Sequence, residues 1–367
     1  ADRADLYVAF FENGLRLLSP QGCLAYICAN RFAKNLYGRT LRELIARNFH
    51  VRYYLNLEHT QPFAVEVSAY PCITVIDRDQ GNPTYASTLE DISEASLTEL
   101  AQPPERFRVA GLAKFPTWYA DGAPWIATGR ADFLRQEKLQ KECPLLAQSA
   151  ADTRIGIGVA TGIDRVYVLP NLAAEIEPAC QLPLVMAADI SPAQLTWSGH
   201  YLVNPFSESD DGSLRDLGDW PGLSSYFHKH RELLAARHVA QKRPNAWYRT
   251  IDRVTLSLTT KPKLLIPDIQ NGGVVGYDQG RYYPHHNVYW ITSEGWNLRA
   301  LQAILRSSVV LEQIKAFSVQ MRGGAVRYQA QVLRKVRVPL ASRLPDALLL
   351  RLENVAGSND QAEIDAM

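Results

Sequence analysis

The chain has 367 residues, 47% of them hydrophobic and 21% charged, and its formal net charge at pH 7 is +1. These values are typical of globular proteins and exclude a largely disordered chain. The length exceeds what one core supports and predicts about two domains. A charge near zero excludes a uniformly basic protein, but it is compatible with local fields of opposite sign.

The five cysteines form no CxxC pair and no Cys/His ladder at zinc spacing. We therefore predict a reducing cytoplasm and no metal site. No stretch approaches the roughly 20 apolar residues of a membrane span. The first residues also lack the basic flank and apolar core of a cleavable signal. The sequence thus predicts neither a membrane partner nor a targeting segment.

Residues 1–78 have the pattern of an α/β domain. The chain opens without Met in an amphipathic helix, and its apolar positions predict a partner surface: Leu6, Phe10, Leu15, Leu17 and Leu18. A strand over Cys23–Cys28, a helix from about Tyr37 and the strands VRYYLNL and AYPCITVIDR follow. This order fits the closing half of a doubly wound domain, which predicts a protein cut within that domain.

Residues 79–151 are turn-rich and are predicted to form a connector. Residues 152–345 are predicted to form an α+β domain, and residues 346–367 a frayed tail. The strands predicted in this second domain lie at residues 166–169, 201–203, 263–267, 274–277 and 288–291. Helical patterns cover residues 223–240 and 298–317.

The segment GIGVATG, residues 156–162, places three glycines within seven residues. A dinucleotide or S-adenosylmethionine loop needs a strand before the glycines and a helix after them. The pattern predicts the reverse order, with the glycines before a strand over IDRVYVLP. We therefore interpret the glycines as allowing a tight turn or a close approach of the backbone to a large ligand.

Basic residues concentrate in two parts of the second region, residues 228–253 and 306–337, which each contain seven Lys or Arg residues and few acidic ones. The aromatic residues interleaved with them are Trp247, Tyr248, Tyr282, Tyr283 and Tyr328. Cations neutralise phosphates, and aromatic or polar side chains reach bases, so this pattern favours a nucleic-acid groove. The alternative is that these residues form ordinary solvated helix faces.

Two other classes of function are weaker interpretations. A self-contained enzyme would have its best candidate residues in YYPHHN, but His285 and His286 would point to opposite faces of a strand and make a poor metal site. The other alternative is a protein-interaction subunit of a defence complex without DNA affinity of its own. The two basic clusters argue against it.

The ordered blocks DLYVAFFENGLRLLSPQGCLAYICANRFAKNLYGRTLREL, GIGVATGIDRVYVL, YFHKHRELLAAR, RPNAWYRT, KPKLLIPDI and GGAVRYQAQVLRKVRVP span most of the chain. Together they resemble the C-terminal part of the prokaryotic adenine-N6 DNA methyltransferases of restriction–modification systems. The likeness is greatest to those with a TaqI-type target-recognition domain, including fused restriction–methylation enzymes. The resemblance implies that residues 1–78 are the latter half of a Rossmann-like methyltransferase domain. It further implies that residues 152–345 are a target-recognition domain that binds duplex DNA.

The resemblance also implies roles for individual residues. Tyr37 occupies the position of an aromatic residue that packs against a flipped-out adenine, and Phe32 is the second candidate. For both residues, packing in the core is the alternative. The candidates for DNA contact are Arg154, Thr161, Asp164, Lys242, Arg243, Trp247, Arg322 and Tyr328. Among these, Trp247 has a core role as its alternative, and Asp164 the closing of its own turn.

The family's two diagnostic motifs are absent from the sequence. The aromatic-x-Gly-x-Gly cofactor motif and the Asn/Asp-Pro-Pro-Tyr/Phe catalytic motif would both precede Ala1. The resemblance therefore implies a missing N-terminal methyltransferase half and S-adenosylmethionine as the cofactor of the intact parent. We predict that this chain holds no catalytic residue, binds no cofactor tightly and is inactive alone.

Overall fold

The computed structural model describes residues 5–65, 70–94, 98, 102, 112–119, 122–125, 130–191, 194–209, 211–318 and 324–367. Its mixed α/β architecture confirms that aspect of the predicted fold class. The chain divides into two compact units, Ala1–Lys141 and Glu142–Met367. Each unit has its own sheet or sheets and its own apolar core.

The described residues of the first unit form a five-stranded sheet. Its strands are β1 (Leu24–Ala29), β2 (His50–Asn56), β3 (Pro71–Asp77), β4 (Thr84–Thr88) and β5 (Ala113–Phe115), in the order β1-β3-β2-β4-β5. Its helices are α1 (Leu6–Leu17), α2 (Arg31–Lys34), α3 (Arg39–Asn48) and α4 (Arg130–Glu142), the last of which ends one residue into the second unit. The predicted strands VRYYLNL and AYPCITVIDR form an antiparallel pair, with Tyr54 opposite Thr74. Because β1 and β2 are both antiparallel to β3, their carboxyl ends lie at the same edge of the sheet.

Helix α1 is present as predicted, and of the five apolar positions predicted to meet a partner surface, Leu15 lies in the core of this unit. Phe11 and Leu15 are the side chains that it contributes to the core. Leu6, Phe10 and Leu17 are 74%, 60% and 86% exposed. The apolar positions alone did not distinguish the face that packs from the face that is exposed.

The second unit contains two four-stranded sheets and a two-stranded ribbon. The first sheet, in the order β12-β10-β14-β6, is built from β6 (Arg154–Ile157), β10 (Lys263–Pro267), β12 (Gly276–Asp278) and β14 (Val288–Thr292). The second, in the order β13-β8-β9-β7, is built from β7 (Val168–Leu169), β8 (Gln181–Val185), β9 (Tyr201–Val203) and β13 (Tyr283–Pro284). The ribbon pairs β11 (Ile269–Gln270) with β15 (Val326–Arg327).

Short helices surround these sheets. They are α5 (Asp164–Tyr167), α6 (Pro221–Lys229), α7 (Arg231–Ala235), α8 (His238–Lys242), α9 (Ser257–Thr260), α10 (Leu298–Arg306), α11 (Ser308–Phe317), α12 (Ala330–Leu333), α13 (Asp346–Val355) and α14 (Gln361–Asp365). The pattern over residues 223–240 predicted one helix, but the structure has three short ones. Breaks at His230 and at Arg237, whose backbone is extended, separate them.

The last residues are not a frayed tail. Leu352 and Val355 of α13 pack against Ala300 and Ala303 of α10 in a small apolar cluster. The guanidinium of Arg306 also donates to the carbonyl oxygens of Ala356 and Ser358, both at 2.5 Å. These residues therefore form part of the second unit, because they bury apolar surface and satisfy a buried arginine.

The glycine segment has the opposite order to the predicted one. Strand β6 includes Gly156, and the one-turn helix α5 follows the remaining glycines, so a strand leads into the loop and a helix leaves it. A Cβ at Gly156 would lie 2.2 Å from the ring of Trp290, and one at Gly158 would lie 2.2 Å from the carbonyl oxygen of Pro284. The close approach that these glycines permit is therefore to the chain itself.

His285 and His286 also depart from the prediction. They were expected to lie on one strand and point to opposite faces. Strand β13 ends at Pro284, and the two imidazole rings lie with their centroids 4.0 Å apart. Alternation along a strand does not apply to residues that follow its end.

Gly156→Ala is expected to lower the free energy of unfolding by about 1–3 kcal/mol, because the added methyl group overlaps the Trp290 ring. Urea denaturation followed by circular dichroism measures this loss. Gly218→Ala is the matched control, since its Cβ would meet only the Asp216 side chain at 3.3 Å. We expect it to change stability by no more than about 1 kcal/mol. Equal stability of the two variants would contradict the packing described for Gly156.

Candidate nucleic-acid interface

The guanidinium of Arg237 connects three separate segments of the second unit. It donates to the carbonyl oxygen of Thr161 at 3.0 Å, in the turn after β6. It also donates to the carbonyl oxygens of Trp247 at 2.9 Å and Arg249 at 2.8 Å. The same group lies over the Tyr167 ring and donates to its hydroxyl at 3.1 Å. Arg237 therefore holds the turn, the α7–α8 junction and residues 247–249 as one framework.

A second link strengthens this framework. The backbone N–H of Ala160 donates to the Asp252 carboxylate at 2.9 Å, and the N–H of Asp252 donates to the carbonyl oxygen of Ala160 at 3.0 Å. At Gly162, φ is +82° and a Cβ would approach the Ile251 side chain to 2.9 Å, so glycine is required for this turn. The turn and residues 249–253 are thus fixed against each other.

Exposed cations are distributed along the segments that Arg237 holds. We call the following set the basic surface: Lys229, Arg231, Lys242, Arg243 and Arg253. Within the described residues, none of the five has an ion-pair partner. The guanidinium of Arg231 lies 4.9 Å from the centre of the Trp247 ring. Trp247 is itself half-buried and packs edge-on against His228 and Tyr248, so one ring serves both the core and the surface.

Burial is the main cause that lowers the pKa of two groups near the basic surface, and neighbouring cations lower it further. Burial and the nearby Lys229 and Arg165 lower the pKa of His230. Burial and the Arg243 guanidinium likewise lower the pKa of Arg249. Each added positive charge here therefore meets repulsion, which a bound polyanion would relieve.

The second basic cluster, residues 306–337, is largely committed to the fold. Arg306 is buried against backbone carbonyls, and Arg327 forms an ion pair with Asp268. Arg334 and Arg337 donate to the carbonyl oxygens of Ile155 at 2.9 Å and Cys143 at 2.7 Å. The contacts of these four arginines stabilise the unit, although Arg334 is exposed and the Arg327 side chain is 42% exposed. Phosphate binding by this second cluster stays a prediction, and these four of its members also hold the fold.

The predicted DNA-contact residues divide by exposure. Lys242 and Arg243 are exposed members of the basic surface. Arg154 is exposed, and its guanidinium lies 2.7 Å from the Asp152 carboxylate. Tyr328 is 1% exposed and its hydroxyl accepts the Gly273 N–H, so it belongs to the core and is not available to DNA. Arg322 lies outside the described residues.

Thr161 and Asp164 form a local hydrogen-bonded pair. Thr161 is fully buried, which removes it as a direct DNA contact, and its hydroxyl donates to Oδ1 of Asp164 at 2.5 Å. The other carboxylate oxygen lies 3.1 Å from Nε2 of His285. Burial alone would raise the pKa of Asp164, but the Thr161 hydrogen bond and the two neighbouring histidines lower it. The Asp164 side chain remains 47% exposed.

The two residues predicted to stack on a flipped base also differ in their exposure. Phe32 is fully buried in the aromatic core, with its ring centroid 5.2 Å from that of Phe11 and 5.5 Å from that of Trp125. It presents no surface on which a base could stack. Tyr37 is half-buried, and its hydroxyl bonds to Tyr7 and Asp5, both at 3.0 Å. Burial is the main cause that raises the pKa of Tyr37.

A polar cluster that the sequence pattern did not predict lies at the carboxyl ends of β1 and β2. The side-chain amide of Asn30 donates to Asn56 at 3.1 Å and to Glu58 at 3.2 Å, and the Lys34 ammonium lies 3.1 Å from the same Glu58 carboxylate. Burial acts to raise the pKa of Glu58, but Lys34 lowers it below its ordinary range. Ligands of α/β sheets bind beyond the carboxyl ends of strands, so this edge is a second candidate contact region. The signal in the sequence was a polar residue at the end of each of two strands, with Asn30 directly after β1 and Asn56 as the last residue of β2.

Comparison with known proteins gives this geometry a context. Residues 1–63 match the family model of the Eco57I restriction-modification methylase. The Type II methyltransferase M.BstVI of Geobacillus stearothermophilus is 40% identical over 376 residues, which cover 100% of this chain and 66% of the relative. M.PaeR7I of Pseudomonas aeruginosa, also a Type II methyltransferase, is 41% identical over 98% of this chain and 62% of its own length. The chain is homologous to Type II methyltransferases.

The chain spans about two thirds of the length of these curated methyltransferase relatives. Among solved structures, the Type IIL restriction-modification enzyme MmeI in complex with DNA has a TM-score of 0.58 and 12% identity. That match covers 99% of this chain and 49% of the other, and it shows a likeness of fold. No helix in the described part of the chain combines the length and the apolar character needed to cross a membrane.

The methyltransferase relatives imply S-adenosylmethionine for the intact enzyme, and the lining of one cavity in the first unit does not fit that cofactor. This cavity of about 380 Å³ lies at the amino end of β2, beside Phe49, His50 and Trp118. Nucleotide ligands of α/β sheets bind at the opposite, carboxyl ends of strands and need a carboxylate for the ribose hydroxyls. No carboxylate occurs in this cavity wall as the structure describes it.

Arg237→Ala is expected to lower the free energy of unfolding by at least about 3 kcal/mol, because four backbone carbonyls, including that of Leu234, lose a charged donor. Arg237→Lys is expected to lose most of the same stability, since an ammonium cannot reproduce the planar fork. Urea denaturation measures both. Arg231→Ala, which removes an exposed cation from the same region, is the control and is expected to cost less than about 1 kcal/mol. A loss at Arg237→Ala no greater than that at Arg231→Ala would refute the bridging role.

Proposed function

We propose that the chain binds duplex DNA through the basic surface, as the DNA-recognition portion of a site-specific adenine-N6 methyltransferase of a restriction–modification system. The observation that carries the proposal is the set of five exposed cations without carboxylate partners on a framework that Arg237 holds in place. Phosphate contacts supply most of the sequence-independent affinity for DNA, and rigid placement lets neighbouring side chains reach base edges. Relatives that are Type II methyltransferases support the proposed substrate.

Within this proposal the two units have different tasks. The first unit is the latter half of a Rossmann-like methyltransferase domain, and Tyr37 is its candidate for holding the flipped adenine. Its half-buried ring is fixed by hydroxyl hydrogen bonds to Tyr7 and Asp5, which leaves the aromatic face as the part available to a base. The second unit is the target-recognition domain. S-adenosylmethionine serves the whole enzyme and supplies the methyl group when it is bound.

Arg154 and Asp164 are the other predicted DNA contacts that remain exposed. The side chain of Arg154 is 66% exposed, and its pairing with Asp152 is a surface ion pair that a phosphate can replace at little cost. Asp164 carries a negative charge and is suited to accept a hydrogen bond from a cytosine amino group, not to meet a phosphate. In this proposal, the cations bind the phosphate backbone of the DNA while the turn of residues 160–164 faces the bases.

Binding to a random-sequence duplex, followed by fluorescence anisotropy over a salt series, tests the proposal. The chain is expected to bind with a steep salt dependence. The double variant Lys242→Ala/Arg243→Ala should bind more weakly to every sequence and reduce the slope of log K against log salt by about 2. Both side chains are exposed, so the variant should remain folded.

The matched control is Lys138→Ala/Lys141→Ala, which removes the same charge from the exposed side of α4. We expect it to leave the slope unchanged. Equal losses of DNA affinity in the two double variants would mean that binding depends only on net charge, and would reject the basic surface as the binding site. The absence of any binding at low salt would reject DNA recognition by this chain and favour a protein-interaction role.

The chain by itself is expected to transfer no methyl group to DNA, because the sequence contains neither the cofactor motif nor the catalytic motif of the family. Transfer of a radiolabelled methyl group from S-adenosylmethionine to duplex DNA is the measurement, with the anisotropy assay run on the same samples. Incorporation above the level of a heat-denatured sample would show that this chain holds a complete active site, contrary to the proposal.

A further inference from the structure

Three side chains from distant parts of the sequence converge beside the turn of residues 160–164. Asp164 at the start of α5 and the consecutive residues His285 and His286 each place one potential ligand atom within 4.8 Å of those of the other two. Nε2 of His285 and Oδ2 of Asp164 lie 3.1 Å apart. The two imidazole rings face each other with centroids 4.0 Å apart.

Both histidines of this cluster have a buried nitrogen without a partner. Nδ1 of His285 and Nδ1 of His286 are inaccessible to solvent and accept or donate no hydrogen bond within the described residues. The His285 side chain is only 2% exposed. Buried polar atoms in folded proteins are almost always satisfied, and an exception points to a bound ion or water. Of the two, Nδ1 of His286 can serve as a ligand atom, whereas Nδ1 of His285 points away from the Nε2 that faces Asp164 and cannot bind the same ion.

The carboxylate of the cluster is oriented by a residue outside it. The buried hydroxyl of Thr161 donates to Oδ1 of Asp164, which leaves Oδ2 directed at His285. Metal-binding side chains are commonly held in this way by a hydrogen bond to their second polar atom. With metal–ligand bonds of about 2.0–2.1 Å, neighbouring ligands lie roughly 3.0–3.4 Å apart, so the observed 3.1 Å fits two ligands of one ion.

We propose that Asp164, His285 and His286 form a binding site for one divalent transition-metal ion of the zinc class. Two imidazoles and one carboxylate are the ligand set that such ions prefer, whereas magnesium and calcium prefer oxygen ligands throughout. The 47% exposure of Asp164 leaves room for a water molecule at the remaining coordination position. The bound ion would cross-link the turn after β6 to the loop between β13 and β14. This site does not depend on the proposed function.

The ion also changes the charge of the turn. Without it, the Asp164 carboxylate is the acidic group among the three ligands. A divalent ion reverses that charge locally.

Titration with Co²⁺ of untagged, chelator-treated protein tests the site, because cobalt at a site of nitrogen and oxygen ligands gives visible absorption bands. One equivalent of Co²⁺ is expected to bind and to be displaced by one equivalent of Zn²⁺. Saturating Zn²⁺ is expected to raise the thermal midpoint of the second unit by about 5 °C. Binding weaker than about 1 mM, or scattered over several equivalents, would overturn the proposal.

Substitutions of single residues test which side chains bind the ion. His286→Ala is expected to weaken Co²⁺ binding at least about 100-fold and to abolish the thermal shift. His238→Ala, which removes an exposed imidazole from α8, should change neither. Thr161→Val keeps all three ligands, so it is the alternative test if His286→Ala fails to fold. Its affinity for Co²⁺ is expected to fall about 10-fold, because Asp164 loses the hydrogen bond that orients it. Unchanged affinity in Thr161→Val, or equal affinity in the two histidine variants, would contradict the assignment.

Discussion

The candidate interface depends on the hydrogen bonds that the guanidinium of Arg237 donates. One planar fork donates to backbone carbonyls in two segments that no regular secondary structure joins, and it lies over the buried ring of Tyr167. Loops rich in turns and one-turn helices have few backbone hydrogen bonds of their own, so a central donor of this kind replaces the missing sheet or helix ladder. The positions of the exposed cations therefore depend on the hydrogen bonds of Arg237.

The distribution of arginine in the second unit shows why a count of basic residues is a poor guide to function. Arg306, Arg327, Arg334 and Arg337 lie in a basic stretch of sequence, yet they satisfy buried carbonyls or Asp268. Lys242 and Arg243 lie in a stretch of similar composition and remain exposed without carboxylate partners in the described structure. The chain therefore uses one cluster to hold its fold and has the other available for a polyanion.

The elements that depend on local pattern were predictable from the sequence. Strands β10 and β14 are short runs of branched and aromatic residues at the predicted positions, and the antiparallel pair β2 and β3 also follows the pattern. The fold of residues 164–167 was not predictable in this way, because DRVY alternates like a strand but closes a helical turn after Gly162. The tail was misread because its stability comes from Arg306 and α10, which are about 50 residues away along the chain.

The candidate site was only partly predictable for the same reason. Lys242 and Arg243 are exposed as expected of phosphate ligands, while Phe32, Thr161 and Tyr328 are buried by contacts that no spacing in the sequence reveals. The proximity of Asp164 to His285 joins positions 121 residues apart, and only the pairing of distant strands creates it. Local composition indicated the region of the interface, and tertiary contacts selected its members.

Hydrogen–deuterium exchange of the chain with and without a saturating random duplex is the most direct test of where DNA binds. The account predicts that DNA slows exchange in residues 158–164 and 228–253, the segments that Arg237 joins. Slower exchange confined to residues 306–337, or no change in residues 228–253 under conditions in which binding is complete, would contradict it.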